Sequence, residues 1–420
     1  MLTRREMLTR TLKGTSLLTF GSVVPQFVAN TARAAEQGKD NILVIVELTG
    51  GNDGLNTVIP HADDLYHKNR PTLHFNKDQV VKVTDDIGLH PAMRRFESLL
   101  QQNMLAIVQG VGYPNPDRSH FESMDIWQSA DPKRKINSGW LGRAAANLQD
   151  TRGNVPIMNI GPNRLPLALQ GSQGGAVSIN TQQPYKLDLG GGAADRQTAR
   201  RALIEDLAKP EKDADDSLIQ FVARRQVQTL LTVDRLQDVL RNQNREQVQF
   251  SPDGRRFFGP GSLPQRLNLV AQLIQRNFGT RVFYVVKDGF DTHSDQAMMH
   301  QNLLSEVAEG ITQFFDQLKG SGNDQRVRLL TFSEFGRRVQ ENGSKGTDHG
   351  AGSCLFVAGP KLKKAGLVGA HPSLKDLDSG DLKWHTDFRQ VYATLLDHWL
   401  GCDSKAVLAG TFEHLEQLKG

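Results

Sequence analysis

A chain of 420 residues with 38% hydrophobic and 23% charged residues has the composition of an ordinary globular protein. That excludes disorder, a collagen-like repeat and a small disulfide-rich scaffold. The formal charge of +4 and a pI near 9.0 would suit a nucleic-acid binder only if the cations lay on the folded body. They lie elsewhere: Arg4, Arg5, Arg10, Lys13 and Arg33 against Glu6 put a net +4 on residues 1–34, the remainder is neutral, and no nucleic-acid partner is expected.

The chain opens on Thr3-Arg4-Arg5-Glu6-Met7-Leu8, runs through a weakly apolar stretch from Gly14 to Ala29, and reaches Ala32-Arg33-Ala34. An arginine pair, an apolar stretch and a small-residue site in that order resemble a twin-arginine export signal, cleaved after Ala34, with the twin-arginine translocase as a partner during export. An amphipathic first helix with a chance arginine pair is the plainer alternative. Pro25 interrupts the apolar stretch, which is shorter than the ~20 residues of a spanning helix. No stable membrane span is therefore expected, and the mature protein should be soluble and periplasmic or otherwise exported.

Asn41 to Leu48 is a continuous apolar run bounded by Gly50-Gly51, which predicts a buried first strand of a parallel sheet. The turn after it, Gly50-Gly51-Asn52-Asp53-Gly54, lacks both the dinucleotide and the P-loop pattern, so Asp53 is read as a metal ligand rather than part of a phosphate cradle. A helix is predicted from Pro91 to Gln102 and a second strand from Met104 to Val108, a crossover order. Beyond the turn-rich Gly112–Asp117, Ser119 stands near the start of a helix running through Trp127, where its plain reading is an N-cap.

Short apolar segments between Asn154 and Leu189 read as strands or edge ribbons, and residues of about 195–260 as a helical insert. A helix over Leu267–Ile274 leads to the strand Val282–Val286, then to Asp291-Thr292-His293. The helix Ala297–Leu318 leads in turn to the strand Arg326–Phe332, which ends on Ser333-Glu334-Phe335-Gly336-Arg337. Gly346-Thr347-Asp348-His349-Gly350 precedes the strand Ser353–Ala358, and an amphipathic helix spans Phe388–Leu400. Strands alternating with helices predict an α/β fold with a doubly wound, mainly parallel sheet, one domain over 40–420. Cys354 and Cys402 lack the paired spacing of a metal or redox motif.

The three polar signatures stand at strand ends, where a sheet holds side chains in place and the next loop leaves room for a ligand. Asp291, His293, Glu334, Asp348 and His349 are the candidate metal ligands with Asp53, and Arg337 is a candidate catalytic group that either binds a substrate anion or pairs with a carboxylate. Each has a plain alternative: a surface turn for Asp291 and His293, a helix opening for Ser333 and Glu334, a glycine-rich connection for Asp348 and His349. Carboxylate with imidazole suits zinc, manganese or iron better than calcium. Zinc and manganese lead, with calcium as the outside alternative.

The motifs GGNDGLNTVIP, DRSHFESMDIWQ, GFDTHSDQ, TFSEFGRR, ENGSKGTDHG and DFRQVYATLLDHWLG resemble those of the exported bacterial family called Domain of Unknown Function fifteen-hundred-and-one. That family is itself similar to the alkaline phosphatase and sulfatase superfamily. The resemblance implies a metal-dependent hydrolase of small anionic phosphate or sulfate esters. It also implies Asp53, Asp291, His293 and His349 as ligands and Ser119 as nucleophile. Where the superfamily has Asp-His after a further strand, this chain has Ser333-Glu334. The sulfatase motif C/S-x-P-x-R is matched at Ser262–Arg266, but at a helix start far from the second strand, where Ser as N-cap and Pro in the first turn explain it. The alternative to an enzyme is an exported binding or assembly protein that retains the fold.

Overall fold

The structure, a computed structural model, describes residues 41–148, 155–161, 165–171, 176–179, 202, 206 and 261–420. The leader and the helical insert of about 195–260 lie outside the described residues, save for positions 202 and 206. In chain order the elements that build the site are β1 (Ile42–Leu48), α1 (Asp64–Asn69), α2 (Phe96–Gln101), β2 (Leu105–Gly112), α3 (His120–Ser129) and α4 (Trp140–Ala144). Then come β3 (Ile157–Ile160), β4 (Ala176–Ile179), α5 (Leu263–Gln275), β5 (Val282–Lys287), α6 (Gln296–Lys319), β6 (Val327–Phe332), β7 (Ser353–Ala358), β8 (Gly366–Val368), β9 (Thr386–Asp387) and α7 (Phe388–Leu395).

The strands form a nine-stranded sheet in the order β8-β2-β7-β6-β1-β5-β3-β4, with β9 also on β2. All pairs are parallel except those of β7, which runs antiparallel to β2 and β6. The expected doubly wound, mainly parallel sheet is what the chain builds. β1 sits at its centre, buried on both faces. Ile42, Val44, Val46 and Leu48 enter one core with α2, α5 and α6. Leu43 and Ile45 enter the other with α3, α4 and α7. A strand covered on both sides has no solvent face to alternate toward, hence its unbroken apolar run. Glu47 is its one charged residue, and burial pushes that carboxyl up to about 7 despite hydrogen bonds from Tyr284 and Gln128.

α6 presents Leu304, Val307, Ile311, Phe314, Phe315 and Leu318 to the first core, at the helical spacing read from sequence. Several local expectations differ. The segment around Leu167–Leu169 is a 3-10 turn, not a strand. β1 and β2 are separated by β6 and β7, so the helix between them spans a wider crossover. α7 continues as a π-helical turn over Leu396–Leu400. Ser262 is the N-cap residue of α5 with proline in the first turn, although its hydroxyl makes no cap bond. Cys354 is half-buried, Cys402 is buried, and both are free thiols. Among the described residues no helix is long and apolar enough to cross a membrane.

Candidate metal centre

β6, β1 and β5 lie side by side and parallel, so their C-terminal ends deliver Ser333–Arg337, Gly50–Asp53 and Asp291–His293 to one edge of the sheet. β2 ends at the same edge and leads to α3, while the antiparallel β7 begins there, just after His349. The loop carrying His349 is zipped to the β6 exit: Gly350 N–H donates to Gly336 O at 2.8 Å, and Arg338 N–H to Asp348 O at 3.0 Å. Glycine permits the tightest contacts. Gly50 has φ +118°, and a Cβ there would stand 2.4 Å from Asp291 N; one on Gly346 would stand 2.2 Å from His293 C. The glycines thus let the chain pack closely on itself.

Four side chains converge at that edge. Asp291 Oδ1 lies 3.1 Å from His293 Nε2, 3.3 Å from His349 Nε2 and 3.5 Å from His120 Nε2. His293 Nε2 and His349 Nε2 are 2.9 Å apart. The ligand atoms of His120, Asp291 and His349 all fall within 4.8 Å of one another. His120 was not among the residues expected as ligands. It is the first residue of α3, and that helix is pinned by Trp127, which stacks on Phe332 at 5.3 Å and Phe388 at 4.3 Å. Ser123 adds a hydrogen bond to the Glu334 carbonyl at 2.5 Å.

Each ring is held from behind at Nδ1. His120 Nδ1 lies 2.8 Å from Glu334 Oε1, His349 Nδ1 lies 2.8 Å from the Arg118 carbonyl, and His293 Nδ1 lies 3.3 Å from Asp348 Oδ1. Carboxylate and carbonyl oxygens accept only, so each Nδ1 carries a proton and each ring turns its Nε2 toward Asp291. His120 Nε2 is buried without a hydrogen-bond partner. Facing Nε2 atoms beside a carboxylate need a positive charge among them, a metal ion or a proton. Four donors at zinc–ligand distance in a tetrahedron lie about 3.3 Å apart. The four separations of 2.9 to 3.5 Å bracket that value, so His120, Asp291 and His349 fit a divalent metal, with His293 beside them.

The hydrogen bond to Glu334, with the Glu334 and Asp291 charges, raises His120 above the ordinary imidazole range against burial. Burial, then Arg337 and His120, lowers His349 and keeps it neutral. Burial pushes Asp291 up, but the hydrogen bond and charge of Arg337 bring it below the usual carboxylate range.

Other expected site residues sit around these four. Glu334, fully buried, stands behind His120, also accepting from Gly50 N–H at 2.8 Å. Asp348 stands behind His293 and is fixed by Asn342 at 3.1 Å. Arg337 does not reach toward a substrate. It is 1% exposed and donates to the carbonyls of Gly50, Gly51, Phe290 and Thr347 and to Asp291 Oδ1 at 2.7 Å, so it braces the loops. Asp53 is not brought to the cluster. Its carboxylate is fully buried, paired with Arg70 at 2.6 and 3.1 Å and bonded to Gln296 at 2.5 Å. Ser119 is the N-cap residue of α3, half-buried, and its hydroxyl makes no cap bond.

A doubly wound α/β sheet with a histidine and carboxylate cluster at its C-terminal edge defines the class. The chain belongs to the family described as Protein of unknown function (DUF1501), whose model matches residues 40–420. No curated protein matches it in sequence. Among solved structures it is similar to the lipoteichoic acid synthase LtaP from Listeria monocytogenes, at 8% identity and TM-score 0.37, covering 99% of this chain and 80% of that one. It is also similar to the PsFucS1 sulfatase from Pseudoalteromonas sp., at 11% identity and TM-score 0.40, covering 94% and 76%. A protein in the alkaline phosphatase superfamily from Vibrio parahaemolyticus matches at 10% identity and TM-score 0.38, covering 93% and 78%.

Proposed function

We propose that the chain is an exported metal-dependent hydrolase of phosphate or sulfate esters. His120, Asp291, His293 and His349 would hold the metal, zinc first and manganese second. The observation that carries this reading is the convergence of three anchored Nε2 atoms on one carboxylate oxygen. Three imidazoles and one carboxylate suit zinc, whereas calcium prefers a cage of oxygens. The leader, with its twin-arginine pattern, supports export.

A bound divalent ion supplies Lewis-acid polarisation of the ester's oxygens. The chain's own groups do the rest. Glu334, the Arg118 carbonyl and Asp348 keep the ring protons on Nδ1, and Arg337 keeps Asp291 ionised and in place. His293 and Asp291 are nearly half exposed, so a substrate has an open approach. Ser119, next to His120 at a helix N-terminus that favours anions, is assigned as the nucleophile. The net reaction consumes one water, cleaves the P–O or S–O ester bond and releases the alcohol with phosphate or sulfate.

The test is turnover of aryl phosphate and aryl sulfate by the zinc-loaded and manganese-loaded protein, with elemental analysis. His349→Ala should lose bound metal, and Ser119→Ala should keep it while its rate falls on the order of 10³-fold or more. A chain that binds metal at these residues yet turns over neither ester is the binding or assembly protein instead.

A further inference from the structure

Arg118 faces two ways. Its carbonyl accepts from His349 Nδ1, while its guanidinium turns to Asp381, Nη2 to Oδ2 at 2.5 Å. That side chain lines a cleft of about 710 Å³, together with Asp117, Asp378, Asp381, Lys383 and Trp384. Ala351, two residues past His349, belongs to the same wall. The cleft and the metal centre therefore share Arg118 and the turn after His349 as a common boundary.

The far wall is built to be rigid. Leu377–Asp378 and Asp381–Leu382 pair as a two-residue hairpin whose turn, Ser379 and Gly380, has φ of 53° and 89°, both in the left-handed region. The hairpin holds the Asp381 side chain at 3% exposure. Arg118 takes Oδ2, but Oδ1 accepts no hydrogen bond, and the Arg338 Nε beside it is 3.5 Å away. A buried acceptor left without a donor is unfavourable, and a ligand hydroxyl that displaces the Arg338 contact would satisfy it.

The lining selects among ligand chemistries. Asp117 and Asp378 stand against Arg118 and Lys383, with Asp381 paired to Arg118, so the lining carries no excess of positive charge to draw an extended polyanion. A strongly charged cation is also disfavoured, because Arg118 and Arg338 already stand at Asp381 and Lys383 is paired with Asp376. What remains are hydrogen-bond donors and acceptors beside the Trp384 side chain. Trp127, Trp140 and Trp399 are buried, so of the four tryptophans only Trp384 is part-exposed, and it is among the residues that line this cleft. An aromatic face with mixed polar groups matches a neutral ring that is apolar on its C–H face and polar at its rim.

We propose that this cleft binds a saccharide or related polyol as the alcohol portion of the ester. The binding claim stands alone; the role as ester alcohol rests on the hydrolase reading.

The experiment titrates the full chain, metal-loaded and chelator-stripped, with glucose, galactose, mannose, N-acetylglucosamine and their disaccharides. Tryptophan fluorescence and calorimetry are the readouts. At least one sugar should give a saturable change that survives removal of the metal. Trp384→Leu should abolish it, and Asp381→Asn should weaken binding by about tenfold or more. Circular dichroism and metal content confirm that both variants fold. Absence of binding across the panel, or binding unchanged in both variants, overturns the proposal. Sugar binding through Trp384 in a protein that hydrolyses no ester would leave the cleft standing and remove the hydrolase.

Discussion

Asp53 and Arg70 are both fully buried, and a pair in that position is held by its geometry. Arg70 donates twice to the carboxylate and also to the carbonyls of Val339 and Arg338 at 2.6 and 2.8 Å, which ties the loop after β1 to the one after β6. Burial pushes Asp53 up, but the charge and hydrogen bonds of Arg70 bring it down to about 2. A carboxyl with a depressed folded pKa contributes stability that is complete above the unfolded value of 3.8 and lost as pH falls through about 2. The amount is about 2 kcal/mol. Asp53→Asn leaves a buried guanidinium without its counter-charge, so it should destabilise the fold by about 3–5 kcal/mol and flatten the acid limb between those pH values. Metal content should stay at the wild-type level. Urea melts across the acid range with elemental analysis check this, and loss of the metal in Asp53→Asn would put Asp53 back among the ligands.

At the level of elements, what was legible follows from how each segment is buried. β1, β5 and β6 are covered on both faces, so their apolar runs announced them, and the polar residues at their tips followed directly. α6 was legible because one face alone is buried. His120 was not, because a single histidine opening a helix has no periodic signal, and only the stacking of Trp127 and the buried Glu334 aim it at Asp291. The partner of Asp53 was equally hidden: Arg70 follows the short helix α1, and nothing in the intervening residues marks the pairing. Glu334 and Asp348 were found as site residues by their place at strand tips, yet whether a carboxylate faces the metal or the back of an imidazole is decided by side-chain packing. Ser119 provides a test at this scale. An N-cap serine that bonds its helix is worth about 1 kcal/mol, but this hydroxyl makes no such bond. Ser119→Ala should therefore shift the unfolding free energy by less than about 0.5 kcal/mol. A larger loss would mean the hydroxyl is structural and undercut its assignment as nucleophile.

Across the whole molecule, the cluster ties together segments far apart in sequence, at 118–120, 291–293, 334 and 348–349, from both sides of the central strand. The unfolded chain brings no such set of donors together, so a cation held here stabilises the native state by mass action, about 4 kcal/mol when its concentration is a thousand times Kd. Stripping the protein with a chelator should lower Tm on the order of 5 °C, and zinc should restore it. His349→Ala should melt at the same temperature with or without chelator, since it has lost the ion already. If elemental analysis showed the metal gone and Tm unmoved, the cation would have been bound outside this cluster. The converging Nε2 atoms would then be a hydrogen-bonded surface group carrying a shared proton.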